Sequence, residues 1–106
     1  MKLGIVVYSN DSETVWNAFR FANAALAMND GVRVFLIGKG VEHEGLDTPV
    51  FNISEQVKNF VDGEGKVFIC GTCLNIRQKK APGIFTVATL KELYDIVAQS
   101  DKVVTF

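Results

Sequence analysis

The chain has 106 residues, of which 48% are hydrophobic and 22% are charged, and its formal net charge is −1. This composition excludes a disordered chain and fits one globular domain, predicted to span residues 1–106. Mixed, nearly balanced charge argues against nucleic acid or a membrane as a partner. The apolar opening segment is shorter than the roughly 20 residues of a membrane span and lacks the features of a secretory signal, so a cytoplasmic location is expected.

The first half of the chain predicts two strands joined by a helix. An apolar run without alternation predicts a buried strand over residues 3–8. The polar residues 9–12 offer N-cap oxygens for a helix, and Gly31 is predicted to cap its C-terminal end. Residues 32–37 form the second predicted strand, and the connection over 38–51 has the length at which loops often carry function. The helix presents one apolar stripe to the sheet, formed by Val15, Ala18, Phe19, Ala22, Ala25 and Leu26.

The second half of the chain repeats this alternation. Asn52 or Ser54 is predicted to cap a short helix, which Gly63 closes. Thr89 precedes a capping-box helix that runs to about Gln99. The other predicted bounds are a helix end near Val61, a strand over 67–70, a helix over 72–79, a strand over 84–87 and a strand over 102–106.

Five strands separated by helices predict the fold class. Such an alternation gives right-handed crossovers, a mostly parallel sheet and helices on both faces, which is an α/β fold. The loops that follow parallel strands emerge at one edge of the sheet, where ligands bind. The segments 9–13, 38–48 and 70–73 are therefore expected to meet at that edge.

The third of these segments contains the only two cysteines, Cys70 and Cys73, at a predicted strand-to-helix turn. Unpaired N–H groups and the positive end of the helix dipole favour a thiolate there, especially at Cys73 in the first helical turn. Gly71 allows the backbone to turn sharply. Arg77 lies four residues after Cys73 on the same helix face and is expected to add positive charge near that sulfur.

Packing and metal binding are alternative roles for the two cysteines. Cys70 ends an apolar run, as a buried structural cysteine would. Structural zinc takes four Cys or His ligands, and this chain offers one Cys-x-x-Cys and one histidine, His43, which is expected to be an exposed loop residue. Only an oligomer that pools cysteines could complete a zinc site, so no metal and no other cofactor is expected.

Two further alternatives concern redox chemistry and the first loop. A thioredoxin fold is disfavoured because the motif follows the third strand, and neither Pro49 nor Pro82 is placed as that fold's cis-proline. Dithiol redox chemistry on another fold stays open. Asn10 and Asp11 could support the cysteine site from the first loop, although helix capping is the simpler role for Asp11.

Over nearly its whole length the sequence resembles the DsrE/DsrF-like family of small sulfur-relay proteins. Residues 67–77, with the cysteine motif, carry the resemblance most specifically. The resemblance implies a Rossmann-like, three-layer α/β/α sandwich that assembles into symmetric homo-oligomers, often trimers or hexamers. Supporting segments are residues 10–15, 31–35, 93–97 and 103–106.

The resemblance also implies a role for each cysteine. Cys70 matches the family's sulfur-accepting position, where sulfur is carried as a persulfide. Cys73 matches the second cysteine of a Cys-x-x-Cys subgroup and could resolve a persulfide, releasing sulfide and leaving a disulfide. In this role Gly71 and Thr72 would supply backbone N–H groups, and Arg77 would stabilise negative charge.

The resulting expectation is a cytoplasmic sulfur carrier or sulfurtransferase that works with donor and acceptor proteins. Whether it catalyses transfer as an enzyme is left open by the sequence. A dithiol oxidoreductase is one alternative. A non-catalytic, oligomeric binding module with structural or metal-associated cysteines is the other.

Overall fold

The computed structural model describes all 106 residues and contains the predicted five strands and four helices. A short 3₁₀ helix, Gly38–Glu42, follows the second strand. No helix of the chain is both long and apolar enough to span a membrane. The elements are β1 (Lys2–Val7), α1 (Ser12–Ala27), β2 (Gly31–Leu36), α2 (Ile53–Asp62), β3 (Lys66–Cys70), α3 (Gly71–Ile76), β4 (Thr86–Ala88), α4 (Leu90–Gln99) and β5 (Lys102–Thr105).

All five strands are parallel and lie in the order β4-β3-β2-β1-β5. The predicted parallel α/β fold is therefore confirmed. Because the strands run in one direction, their carboxyl ends lie at a single edge of the sheet, which we call the carboxyl edge. The central strands β1, β2 and β3 each send a loop to this edge.

The helices bury the sheet unequally. The amphipathic helices α1 and α2 pack against each other and against β1, β2 and β3. Phe19 of α1 meets Phe60 of α2 edge to face, with 6.0 Å between the ring centroids. α4 contacts β1 and β4 but contributes only one fully buried side chain, Ile96. The sheet is thus well covered on one side and more thinly on the other.

Helix caps follow the sequence closely. Asp11 caps α1 by accepting a hydrogen bond from the Thr14 N–H, and Asn52 caps α2 in the same way. Gly63 is the C-cap of α2, and Thr89 with Glu92 forms the predicted capping box of α4. These caps satisfy backbone groups that the helix itself leaves unpaired.

The predicted role of Gly31 is wrong. Met28 is the C-cap of α1, and Asn29 adopts the left-handed conformation with φ 65°. Asparagine tolerates this conformation because its short polar side chain can bond locally. Gly31 is consequently the first residue of β2, where it pairs with Lys2.

Most strand bounds agree with the prediction to within one residue, and two elements differ from it by more. The helix after the cysteine motif ends at Ile76 instead of Lys79, because Gln78 turns left-handed with φ 52°. The fourth strand covers residues 86–88 instead of 84–87. It is set by its pairing with β3, in which Cys70 opposes Ala88.

The 3₁₀ helix is fixed to the sheet through Gly40. A side-chain carbon on Gly40 would lie 2.1 Å from the carbonyl oxygen of Val7, at the end of β1. Only glycine allows this approach of two backbone segments. The close contact determines where the 3₁₀ helix presents its ends, Gly38 and Glu42.

Gly40→Ala is expected to lower the free energy of unfolding by about 1–3 kcal/mol, as overpacking against rigid backbone does. Gly83→Ala is the matched control, since a Cβ there would meet no atom within 4 Å. Urea unfolding of both variants measures the difference. Equal stability of the two variants would contradict the close contact.

Candidate functional site

The loops after β1, β2 and β3 meet at the carboxyl edge, as the sequence predicts. The Nδ2 of Asn10 donates to Oε1 of Glu42 at 3.2 Å, joining the first loop to the second. The N–H of Gly38 donates to Sγ of Cys73 at 3.3 Å, joining the second loop to the third. Both cysteines are free thiols.

Cys70 is the last residue of β3 and the N-cap of α3. Its Sγ accepts the N–H of Cys73 at 3.4 Å, and only 4% of the residue is exposed. Burial raises the pKa of the Cys70 thiol, and the N–H of Cys73 opposes this shift without cancelling it. Cys70 is therefore protonated at neutral pH.

The sequence predicts that the backbone N–H groups of Gly71 and Thr72 serve the cysteine site. In the structure, the N–H groups of Cys73 and Thr72 are the ones that favour the thiolate of Cys70. This follows from capping geometry, in which an N-cap side chain bonds the second and third helical residues and not the first. Gly71 is that first residue, and its role is spatial. A Cβ there would lie 3.0 Å from Cγ1 of Val87, so the glycine lets β4 run close to the turn.

Cys73 lies in the first turn of α3 and is only partly buried. Its Sγ accepts the N–H of Gly38, which belongs to a different strand's loop. Of the two cysteines, Cys73 is the more exposed.

Arg77 contacts both Cys73 and Glu42. Its Nε donates to Oε2 of Glu42 at 2.6 Å, and its Nη1 donates to the carbonyl oxygen of Cys73 at 3.1 Å. The guanidinium thus reaches the backbone of Cys73, and Glu42 balances its charge. Arg77 therefore leans back toward Cys73 as expected, and the sequence did not indicate that the 3₁₀ helix places the Glu42 carboxylate beside its guanidinium.

Glu42 is the residue that sequence reasoning missed. Hydrogen bonds from Arg77 and then from Asn10 lower its pKa, so the carboxylate is ionised at neutral pH. It ties together residues from all three loops. Nothing in the sequence separates Glu42 from Glu44, since the difference arises from the 3₁₀ conformation.

Asn10 and Asp11, which the sequence places together, have different roles. Asn10 belongs to the site through Glu42. The carboxylate of Asp11 accepts the N–H and the hydroxyl of Thr14, each at 2.9 Å, and these bonds lower its pKa. Asp11 therefore serves as the cap of α1.

His43 is not the exposed loop residue that the sequence predicts. Its side chain is 9% exposed and packs on the ring of Phe85, with 4.9 Å between the centroids. Burial lowers its pKa, and the Glu44 carboxylate only partly offsets this, so the imidazole is neutral at pH 7. No group of three or more His, Cys, Asp or Glu side chains is arranged to hold a metal ion.

The model of the DsrE/DsrF-like family matches residues 1–106. The chain belongs to this family. An uncharacterized protein of Methanocaldococcus jannaschii, MJ0989, is 34% identical over 100 residues, which are 89% of this chain and 88% of that protein. Family membership supports a function of the sulfur-relay type in general terms.

Solved structures support the same fold. The ychN protein of E. coli is 26% identical and superimposes with a TM-score of 0.84, covering 100% of both chains. BT1422 of Bacteroides thetaiotaomicron, a conserved protein of unknown function, has a TM-score of 0.73 at 16% identity, covering 99% of this chain and 94% of that one. The second likeness concerns the fold alone.

Glu42→Gln is expected to speed alkylation of Cys73 by iodoacetamide at neutral pH roughly two- to fivefold, a modest effect for a partly exposed charge. The reason is that the Arg77 guanidinium, which contacts the Cys73 carbonyl, loses its balancing carboxylate. The rate is measured by mass spectrometry of the tryptic peptide. Glu44→Gln removes the same charge from an exposed neighbour, and an equal acceleration there would refute the specific role of Glu42.

Proposed function

We propose that this chain is a sulfur carrier of the sulfurtransferase type, which holds sulfane sulfur as a persulfide on the Cys70–Cys73 pair. The observation that carries the proposal is the difference between the two thiols at one helix start. Cys73 is partly exposed and accepts a backbone N–H from Gly38, whereas Cys70 is buried with a raised pKa. A carrier needs one thiol that meets partners and a persulfide that survives between them.

Cys73 is the thiol that takes sulfur from the donor in this proposal. Its thiolate attacks the outer sulfur of a persulfide on a donor protein. The donor's S–S bond breaks, the donor leaves as a thiolate with the electron pair, and Cys73 becomes a persulfide. An acceptor thiolate then attacks the same outer sulfur, which returns Cys73 to its thiolate.

Cys70 is the resolving thiol. Its thiolate can attack the inner sulfur of the Cys73 persulfide, which forms a Cys70–Cys73 disulfide and releases hydrosulfide. Because burial raises the pKa of Cys70, this attack is slow at neutral pH. Slow resolution favours transfer to an acceptor over loss of sulfide, and so favours a carrier over a dithiol reductase.

This assignment exchanges the roles that family resemblance implies, in which Cys70 accepts the sulfur. The exchange rests on access, since Cys70 is buried with 4% of the residue exposed, whereas Cys73 is only partly buried. Gly38 and Thr72 supply backbone N–H groups to the pair. The Arg77–Glu42–Asn10 network fixes the loops around it.

Intact-mass analysis after treatment with glutathione persulfide tests the proposal. Cys70→Ser is expected to gain one sulfur atom that a reductant removes, and Cys73→Ser is expected to gain far less. The reverse pattern would keep the carrier but return the accepting role to Cys70.

Two other outcomes would reject the carrier. Loss of two hydrogens in the wild type, with no sulfur adduct in either variant, would indicate dithiol redox chemistry. Thiols that react only after unfolding would indicate a binding module with structural cysteines.

We further propose that the chain works as a homo-oligomer in the cytoplasm, with trimers or hexamers expected from the family. Uncovered apolar side chains on α4 support assembly. Leu90, Tyr94 and Val97 recur along one stripe of this helix and are 63%, 73% and 51% exposed. A reducing compartment suits two free thiols.

Light scattering of the wild type is expected to give a mass above that of the monomer. Val97→Lys is expected to reduce this mass, because a charge in the stripe cannot be buried cheaply. Met28→Lys, at an exposed site at the end of α1, is the control and is expected to leave it unchanged. A monomeric wild type would contradict the assembly proposal.

A further inference from the structure

The amino-terminal edge of the sheet carries three basic residues on neighbouring strands. Lys2 opens β1, Arg33 lies in β2 and Lys66 opens β3. Cys70 lies four positions after Lys66 in β3, a distance of about 13 Å along the strand. These residues are therefore at the opposite edge from the cysteines.

The strand register places the three basic side chains on one face. Arg33 pairs directly with Lys66 and with Gly4. Lys2 precedes Gly4 by two residues, so it shares the face of Gly4, because side chains alternate along a strand. This is the face of α4, since a Cβ on Gly4 would meet Ile96.

No acidic side chain forms an ion pair with these cations. Arg33 donates through Nη1 to the neutral Oε1 of Gln99 at 3.3 Å, which orients the guanidinium without cancelling its charge. Asp101 accepts the backbone N–H of Lys2 instead of pairing with its ammonium group.

The three residues line a recess of about 320 Å³. Gly31 forms part of its wall and adds no side chain, and Gln99 closes one side. Glu64 is the one carboxylate on the lining, and it makes no ion pair with the cations. The recess therefore concentrates positive charge in a concave site.

Repulsion among the three cations destabilises the isolated chain. Like charges directly opposite each other in a sheet are destabilising. Arg33 and Lys66 are such a pair, and Lys2 adds a third charge diagonally. A polar face that is simply exposed to solvent carries charges of both signs, whereas the charged residues on this face of the three central strands are all basic.

We propose that this recess binds an oxyanion group, phosphate or sulfate, either as the free anion or as part of a small metabolite. The guanidinium of Arg33 binds two oxygens of the group, a geometry that suits its planar fork of donors. Lys2 and Lys66 supply two point charges that match a doubly negative anion. The recess is larger than one such group, which leaves room for an attached organic moiety.

Calorimetric titration of the assembled wild-type protein with inorganic phosphate, at constant ionic strength set by chloride, tests the proposal. Saturable binding is expected, and Arg33→Gln is expected to weaken it at least tenfold. Lys66→Gln is expected to weaken it as well. Lys102→Gln is the matched control, because Lys102 pairs with Leu3 and so lies at the same edge on the opposite face.

The same titration with phenyl phosphate separates the two sources of the anion. Tighter binding than inorganic phosphate indicates a metabolite that carries the group, and equal binding indicates the free anion. Arg33→Gln is also expected to raise the melting temperature at low salt without anion, since it relieves the repulsion.

Two results would overturn the proposal. The first is the absence of saturable phosphate binding to the assembled protein, which would be seen if acidic residues of a second copy filled the recess. The second is an equal loss of binding in Arg33→Gln and Lys102→Gln, because phosphate would then respond to the net charge of the protein and not to a specific site.

Discussion

The contact between Gly40 and the carbonyl oxygen of Val7 determines the geometry of the carboxyl edge. It leaves no room for a side chain and fixes the 3₁₀ helix against the end of β1. From this fixed position Gly38 donates to the sulfur of Cys73, and Glu42 holds Arg77 and Asn10. One backbone contact therefore positions groups from all three central loops around the cysteines.

Burial gives two chemically identical thiols different properties. Cys70 continues the buried strand β3, so its sulfur is desolvated and its pKa is raised even though it caps a helix. Cys73 lies one helical turn further, where the chain has left the core. The backbone N–H groups at the helix start favour a thiolate at Cys70, and desolvation outweighs this effect. The proposed division of labour follows from that difference.

The sequence predicts the fold and the location of the site because both depend on local patterns. Strand and helix periodicity, together with the caps at Asp11, Asn52 and Thr89, is sufficient for the order of elements. The network around the cysteines depends on tertiary placement instead. Glu42 and the burial of His43 follow from the 3₁₀ conformation and the packing of Phe85, which leave no mark in residue spacing. Asn29 replaced Gly31 as the left-handed residue because either can adopt that conformation.

In the proposed mechanism, the protonated, buried Cys70 preserves the persulfide on Cys73. The most direct measurement is the rate of sulfide release from the persulfide-loaded protein as a function of pH. Release is expected to be slow at pH 7 and to increase by nearly tenfold per pH unit until Cys70 ionises, and Cys70→Ser is expected to show no such increase. A release rate that is independent of pH, or equal in the wild type and in Cys70→Ser, would contradict it.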